Sequence, residues 1–485
     1  MKANVEFRKR HKTIEQVNKM ASLEVFFQRT RLLSAFALVG VVGCTQGEVA
    51  ERLNVDLADV FRTESPIGAA APIPIGQLYD DTVAARLVDT ALTQNLQLKE
   101  ARARIDRAAG VSGSTSPYIR IDGLLEATEA AEDAGTDSSR AELNLGIDLF
   151  GGRAARRKAA LDELLAVQLD AEAARQLLVS NLLSTYIDLR FLEVRQRQLQ
   201  SELFIRQNGL DAVRQRRDVN DATLVELRQA ELSVIETRQA IPAVGSRILA
   251  RKNQIATLVG QTQPPIDLLN EETGQIPSPV VMFGAGVPAD LLRNRPEIQA
   301  AEARYHSALH ELDAAHAARF PSLSLSGTLG ELNTSGQTFD IVTGGAAINL
   351  PIFNQGALTS AIVIEEADVH IALLSWRQAV LGAVEETETA LSSVRAAQET
   401  LHQANRAVRL NNEIAEFQRE LLTTGDLTVG DYVGTLRDLS AAQAAQAAAR
   451  RDVALQTAQL QFSLGLLWTT PSVTEQVVSQ VDTNG

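Results

Sequence analysis

Two alternating segments interrupt a helical pattern in the second half of the chain. Polar and apolar residues alternate strictly from Ser322 to Leu329. Strict alternation is typical of a strand with one polar and one apolar face. A second run keeps four apolar residues on one face: Ala346, Ile348, Leu350 and Ile352. Helical spacing precedes and follows these runs, so we predict a β-hairpin at about 321–353 between helices.

The same arrangement occurs about 200 residues earlier, at about 117–150. The second strand of this earlier hairpin has five apolar residues separated by polar or small ones: Ala141, Leu143, Leu145, Ile147 and Leu149. About ten residues is the length that a tilted strand needs to cross a bilayer. The pattern therefore predicts two membrane hairpins in a duplicated chain. A half-buried hairpin of a soluble α+β protein is the alternative.

Long helical segments follow each hairpin. We predict helices at about 153–217 and 223–259 in the first repeat, and at about 357–422 and 429–465 in the second. A helix of about 65 residues is roughly 100 Å long, which indicates coiled-coil-like packing against neighbours. We place the repeats at 78–260 and 287–468, each opening with a helix, the first at about 80–109. An irregular equatorial connector (261–286) separates the repeats, and a disordered tail (469–485) follows.

The N-terminal region has the features of a secretory leader. A basic segment precedes a short apolar run, so we predict a signal peptide at 1–43, with Met20 as a possible start. The run ends in Val-Val-Gly followed by Cys44, the single cysteine of the chain. This sequence resembles a bacterial lipobox and predicts covalent lipid on Cys44. An uncleaved anchor or a buried cysteine is the alternative. Residues 44–77 are then a lipidated extended arm.

Composition excludes several classes of protein. The 485 residues carry a net charge of −14, and without basic patches such a chain is a poor nucleic-acid binder. One cysteine excludes an internal disulfide framework. No run of 18 apolar residues is present, so we expect no transmembrane helix in the mature chain.

No set of residues predicts catalysis, so we expect that the protein is not an enzyme. His306 and His310 are four apart on a helix, but no third metal ligand accompanies them. We interpret the carboxylates of Glu385, Glu386 and Glu388 as a solvated or lumen-facing strip rather than as paired acid and base groups. We therefore predict no metal and no cofactor beyond the lipid on Cys44.

Several segments, in order and spacing, resemble the outer-membrane efflux factor family of TolC-like channels, and specifically its lipoprotein branch. The resemblance covers about 78–468. The matching segments are Ala91-Leu92 with Asn95, Asp290–Ile298, Phe320–Gly327, Leu350–Phe353, Ala383–Glu386 and Leu464-Gly465. Asn294 departs from the family pattern, which has arginine there.

The number of predicted strands requires several copies of this chain to form a barrel. Four strands cannot close a barrel, open edges are not tolerated in hydrocarbon, and the smallest membrane barrels have eight strands. Two or three copies satisfy this requirement. The resemblance implies three: a homotrimer with a 12-stranded β-barrel continuous with a 12-helix α-barrel. It also implies a periplasmic adaptor and an inner-membrane transporter as partners in a tripartite efflux pump of the outer membrane.

The turns at 218–223 and 425–431 would form the periplasmic gate. Family members close this end with aspartate rings and with links between helices, and the resemblance places Asp431 at one gating position. The second aspartate position falls on Gly434, and the arginine and tyrosine link positions fall on Leu427 and Leu422. Four further gate candidates follow from proximity in sequence: Asp221, Asp426, Arg437 and Asp438. All four could equally be solvated turn or cap residues.

Two other functions also fit the sequence. A type I protein-secretion channel would share the architecture. A lipid-anchored periplasmic coiled-coil scaffold without a pore would explain the helices and Cys44 but not the four amphipathic strands.

Overall fold

The structure is a computed structural model that describes residues 57–58, 60–63, 78–114, 119–128, 136–270, 275–279, 286–334, 337–424 and 426–466. The predicted leader (1–43), Cys44, the tail (469–485), Gly425, most of the arm and part of the connector lie outside these residues.

The first half contains two short helices, a β-hairpin and a long helical hairpin. The elements are α1 Thr82–Gln94, α2 Leu96–Ser114, β1 Ile119–Thr128, β2 Thr136–Ile147, α3 Gly152–Asp218 and α4 Leu224–Leu258. In the connector, a short helix, α5, spans Ile266–Asn270. The 67 residues of α3 give a length of roughly 100 Å.

The second half repeats this order after a 3₁₀ turn at Pro288–Asp290. Its elements are α6 Leu291–Asn294, α7 Pro296–Ala317, β3 Ser322–Thr334, β4 Gln337–Asn349, α8 Gln355–Thr424 and α9 Val429–Ser463. In the described part of the chain, no helix has both the length and the apolar content needed to cross a bilayer.

The first helical segment differs from the sequence prediction. We expected one helix at about 80–109, whereas the structure breaks it at Asn95, whose backbone is extended at ψ 134°. The Asn95 amide donates to the Leu258 carbonyl at 2.8 Å, and its oxygen accepts from the backbone N–H of Leu98 at 3.1 Å. Asparagine favours such local bonds over helix continuation. The break rotates Leu96 out of the apolar stripe, and its side chain is 67% exposed.

Both hairpins join in one antiparallel sheet with the order β1-β2-β3-β4. The two halves meet where β2 pairs with β3, for example Leu145 with Leu325 and Ile147 with Leu323. β1 and β4 are the outer strands, and each pairs with one neighbour within the described chain. The sheet therefore ends in two edges whose outward backbone groups have no strand beside them here.

The register places the apolar residues of neighbouring strands opposite one another. Leu325 lies between Leu145 and Ala346, and Leu329 lies between Ala141 and Val342. The alternate positions of β3 are serine, threonine or glycine over most of its length, from Ser322 to Gly330. One face of the sheet is thus mainly apolar and the other mainly polar or small.

The described helices pack around two large apolar cores and a smaller one at Leu192, Leu199 and Val244. In the first core, α1 packs on α3 through side chains such as Leu87 and Leu183, each 1% exposed. In the second core, α7 packs on α8 around Ile298 and Trp376. Burial of such side chains stabilises the fold by about 1.5–3 kcal/mol each.

A close backbone contact recurs in both halves. Gly260 and Gly465 end long helices with φ of +76° and +70°. A Cβ at Gly260 would lie 2.5 Å from the Gln94 carbonyl oxygen, and one at Gly465 would lie 2.7 Å from the carbonyl carbon of Asn294. Glycine is required at both sites because the backbone is left-handed and another chain segment touches it.

Candidate functional site

The first helix turn joins α3 to α4 at one end of the helical hairpins. Asn220 takes a left-handed conformation, with φ of 59°. Thr223 caps α4 in a reciprocal capping box with Glu226. Asp221 accepts from Arg216 Nε at 2.9 Å, and its side chain is 69% exposed. This predicted gate residue therefore has an ion pair within its own turn. Its role in gating stays a prediction.

The second helix turn joins α8 to α9 and contains Asp431. The Thr428 hydroxyl accepts from the backbone N–H of Asp431 at 3.2 Å and donates to its carboxylate at 2.6 Å. The Thr424 hydroxyl donates to Asp426 at 2.7 Å. Both aspartates are exposed. Asp431 thus takes part in the helix cap while it faces solvent, a position compatible with a gate.

The remaining positions considered for the gate do not form a common cluster. Arg437 lies 3.8 Å from Asp438, with both side chains about two-thirds exposed. Leu422 and Leu427, at the family's link positions, are partly exposed. A Cβ added at Gly434 would meet nothing within 4 Å. The structure brings the predicted gate residues to one end of the chain but not into mutual contact.

Contacts between α3 and α9 place both turns at this same end. A Cβ at Gly209 would lie 3.7 Å from Val433, and the Gln198 amide donates to the Gln443 carbonyl at 3.2 Å. The residue numbers fall along α3 as they rise along α9, so the two helices are antiparallel. The C-terminal end of α3 and the N-terminal end of α9 therefore lie side by side, and each of these ends adjoins a turn. We call this region the turn end.

A buried polar network, not predicted from the sequence, connects α1, α3 and α5. Arg190 is 1% exposed and donates to the Tyr186 hydroxyl and to the Leu269 carbonyl, each at 3.0 Å. Tyr186 in turn donates to Asp81 at 2.9 Å. Burial raises the pKa of Tyr186, and the Asp81 charge adds to the shift. Arg190 lies in a long helix with many arginines, and nothing in their spacing along the sequence indicated that this side chain is buried.

Two carboxylates of the predicted solvated or lumen-facing strip on α8, both partly exposed, accept hydrogen bonds from other segments of the chain. Glu386 accepts from Arg295 at 2.7 Å and from Gln459 at 3.1 Å. The carboxylate of Glu388 accepts the backbone N–H groups of Arg62 (2.5 Å) and Thr63 (3.1 Å). Glu388 thus binds the described part of the N-terminal arm.

The histidine pair contacts acidic residues of α3 and α7. His310 lies 3.6 Å from both Asp162 and Asp313. Burial raises the pKa of Asp162, and the nearby histidines and Lys158 oppose the shift. Among the described residues, no three His, Cys, Asp or Glu side chains are grouped as metal ligands.

The architecture, with its paired hairpins and long helical hairpins, matches a known family. The model of the family described as "Outer membrane efflux protein" matches residues 87–261 and 287–466. The chain belongs to the outer membrane efflux protein family. It is therefore the outer-membrane component of an efflux system.

Curated relatives agree with this assignment. Nodulation protein T of Rhizobium leguminosarum bv. viciae is 28% identical over 80% of this chain and 82% of its own length. The pyoverdine export outer membrane protein OpmQ of Pseudomonas aeruginosa is 29% identical over 74% and 75%. The toluene efflux pump outer membrane protein TtgF of Pseudomonas putida is 27% identical over 75% and 79%.

Solved structures show the same fold. The outer-membrane channel OprN superposes with a TM-score of 0.75 at 24% identity, over 86% of this chain and 98% of that one. The open state of the Neisseria gonorrhoeae MtrE outer membrane channel gives the same TM-score at 21% identity, over 86% and 97%. These matches make the fold that of an outer-membrane channel.

Proposed function

We propose that this protein is the lipid-anchored, homotrimeric outer-membrane channel of a tripartite efflux pump. It is a passive conduit that carries small molecules from the periplasm to the exterior. An inner-membrane transporter supplies the energy, and a periplasmic adaptor engages the turn end.

The observation that carries this proposal is the four-stranded sheet with two open edges. A mainly apolar face and unpaired edges suit a sheet that closes only with further copies of itself, because hydrocarbon does not tolerate unpaired backbone groups. Three copies give a barrel of twelve strands, an even number within the range of membrane barrels. The long helices of the three copies then form the wall of a periplasmic tunnel.

The gate lies at the turn end. Three copies bring three Asp431 side chains into one ring, which narrows the aperture and places negative charge there until the adaptor binds. The Asp431 side chain is exposed and fixed by Thr428. Asp221, Asp426 and Arg437 are secondary members of this gate.

Single-channel recording in planar bilayers tests the gate. We expect Asp431→Ala to raise conductance, because it replaces the ring of side chains that narrows the aperture with smaller, uncharged ones. Asp211→Ala is the matched control: Asp211 is also exposed near the end of α3, where it pairs with Arg214. An unchanged conductance in Asp431→Ala, or an equal rise in the control, would remove Asp431 from the gate.

Lipid on Cys44 anchors the chain to the outer membrane in this proposal. The support is the lipobox-like sequence before Cys44. Mass spectrometry of the purified protein should show an N-terminal lipidated Cys44, and Cys44→Ser should remove that mass. A mature protein that begins at another residue would refute the anchor.

Small molecules are the proposed cargo because two of the relatives are named for export of pyoverdine and toluene. Affinity purification from the native membrane should recover one adaptor and one inner-membrane transporter. Recovery of a transporter dedicated to protein secretion would instead favour a type I secretion channel.

A further inference from the structure

Two apolar stripes are exposed near the turn end. The α4 stripe consists of Val225, Leu232 and Ile235, and the α8 stripe consists of Leu410, Ile414 and Phe417. Their side chains are 48–64% exposed. Large apolar side chains in a row are unusual on a solvated helix and mark a contact surface.

The stripes lie on the two outer helices of a row. α4 packs along α3, α3 along α9, and α9 along α8, so the order at the turn end is α4-α3-α9-α8. In each outer helix the stripe faces away from this row. Leu232 is two residues from buried Val234, and Phe417 is two residues from buried Ala415. At 100° per residue, Leu232 and Phe417 each lie roughly 160° around the helix from these buried side chains, and Ile235 and Ile414 lie about 100° from them.

Contacts across the row show that the two stripes are at the same height, that is, at the same position along the helix axes. Arg206 of α3 donates to the Ser233 carbonyl of α4. Three residues further along α3, Gly209 contacts Val433 of α9. Close to Val433, the Thr435 hydroxyl donates to Gln418 of α8. Ser233 and Gln418 are therefore level to within a few residues, which places Leu232 opposite Phe417 and Ile235 opposite Ile414.

We propose that these stripes form the contact between neighbouring copies at the turn end, with the α4 stripe of one copy packed against the α8 stripe of the next. The inference rests on the proposed ring of copies. Rotation about a single axis keeps every residue at its height, so two stripes at equal height on opposite flanks meet all around a ring. A contact of this kind is heterologous and closes when the rotation closes.

Several charged side chains at the turn end have partners within the same copy. Arg216 pairs with Asp221, Asp431 bonds to Thr428, and Arg437 lies beside Asp438. The apolar stripes, in contrast, lack cover in the described chain. The contact between copies thus has an apolar centre, and it holds the turn end closed with less dependence on salt than a contact made of ion pairs.

Cysteine cross-linking of the full-length protein in its native membrane tests the contact. Leu232→Cys combined with Phe417→Cys should form disulfide-linked dimers and trimers under mild oxidation, because the two positions differ by roughly 3 Å in height. A second pair, Ile235→Cys with Ile414→Cys, has a similar offset. Leu232→Cys with Leu410→Cys is the control, since roughly 13 Å of height separates these positions and a disulfide tolerates a Cα separation of at most about 7 Å. Each single variant, which retains Cys44, gives the background.

The outcomes separate this inference from the proposed function. Cross-linking of the two level pairs without cross-linking of the control supports the contact. A trimer that conducts ions but links at neither level pair, or links equally in the control, would overturn the contact and leave the channel standing. A monomer that conducts no ions would refute the channel itself.

Conductance gives a second readout. Phe417→Gln should raise the single-channel conductance or open probability, and this rise should persist in 1 M salt, where an ion-pair contact is already screened. Phe204→Gln is the matched control, because Phe204 is 65% exposed on α3 and belongs to neither stripe. No change in Phe417→Gln, or the same change in Phe204→Gln, would overturn the apolar closure.

Discussion

Gly465 should not tolerate a side chain, although Gly465→Ala adds a single methyl group. Gly465 follows α9 with φ of +70°. Its N–H donates to the Phe462 carbonyl at 2.9 Å, and the N–H of Leu466 donates to the Gln461 carbonyl at the same distance. These bonds end the helix and hold the left-handed conformation.

Two costs add up in Gly465→Ala. The left-handed conformation costs a non-glycine residue about 1–2 kcal/mol. The new Cβ would also lie 2.7 Å from the carbonyl carbon of Asn294, so the segments must separate by several tenths of an ångström or more. The flanking Leu464 and Leu466 are buried in the second core, and overpacking of a core costs about 1–3 kcal/mol. We expect a total loss of about 2–5 kcal/mol.

Thermal unfolding followed by circular dichroism in detergent measures the loss. Gly465→Ala should lower the unfolding midpoint, and Gly260→Ala should do so as well, because its Cβ would meet the Gln94 carbonyl. Gly382→Ala is the control. Gly382 lies inside α8 with nothing within 4 Å of an added Cβ, so alanine there should leave the midpoint unchanged or raise it slightly through helix propensity.

The reasoning fails if Gly465→Ala unfolds at the wild-type midpoint while retaining wild-type helix content. It also fails if Gly382→Ala loses as much stability as Gly465→Ala. Either result would mean that the 294–295 segment can move away from the added Cβ without loss of stability.

Three further predictions concern the cap, the buried network and the membrane boundary. Thr428→Val should remove a cap worth about 1 kcal/mol, so hydrogen exchange at the start of α9 should accelerate roughly fivefold; unchanged exchange in peptides that span the second turn would contradict this. Arg190→Met should destabilise the protein by about 3–5 kcal/mol, because it leaves buried partners unpaired; an unfolding midpoint equal to that of the wild type would show that the network is dispensable. Phe353 is fully exposed between β4 and α8, so Phe353→Trp should be quenched by lipids brominated near the headgroups, as expected of an interfacial aromatic residue. Phe204→Trp is its control, and equal quenching of both would exclude a specific membrane position.

Hydrophobic periodicity was sufficient to predict the four strands and the long helices. Alternation over 322–329 and 141–149 indicates strands because side chains of a strand point to opposite faces in turn. The proline-free segment after Gly152 indicates a long helix for a similarly local reason. The cap at Thr223 and the left-handed Asn220 are also local, since each depends on bonds within one turn.

Deviations from the sequence prediction arose where a distant partner decides a residue's environment. Asn95 breaks the first helix because its amide reaches Leu258, 163 residues away. The hydrogen bonds of Glu388 to the backbone of Arg62 and Thr63 were likewise not predicted, because these residues lie more than 300 positions away in the chain. Arg190 is buried by α1 and α5, and neither neighbour is implied by the sequence around it.

The sequence by itself therefore determined the strands, the long helices, the duplication and the resemblance to outer-membrane efflux channels, because each depends on patterns within a short window or on ordered motifs. Only the tertiary structure decided that β2 pairs with β3, that both turns share one end, and that the α4 and α8 stripes are level. Pairing and height depend on contacts between residues far apart in the chain, and a periodic helix of about 70 residues fits its neighbour in several registers. Side-chain packing and buried hydrogen bonds select one of them.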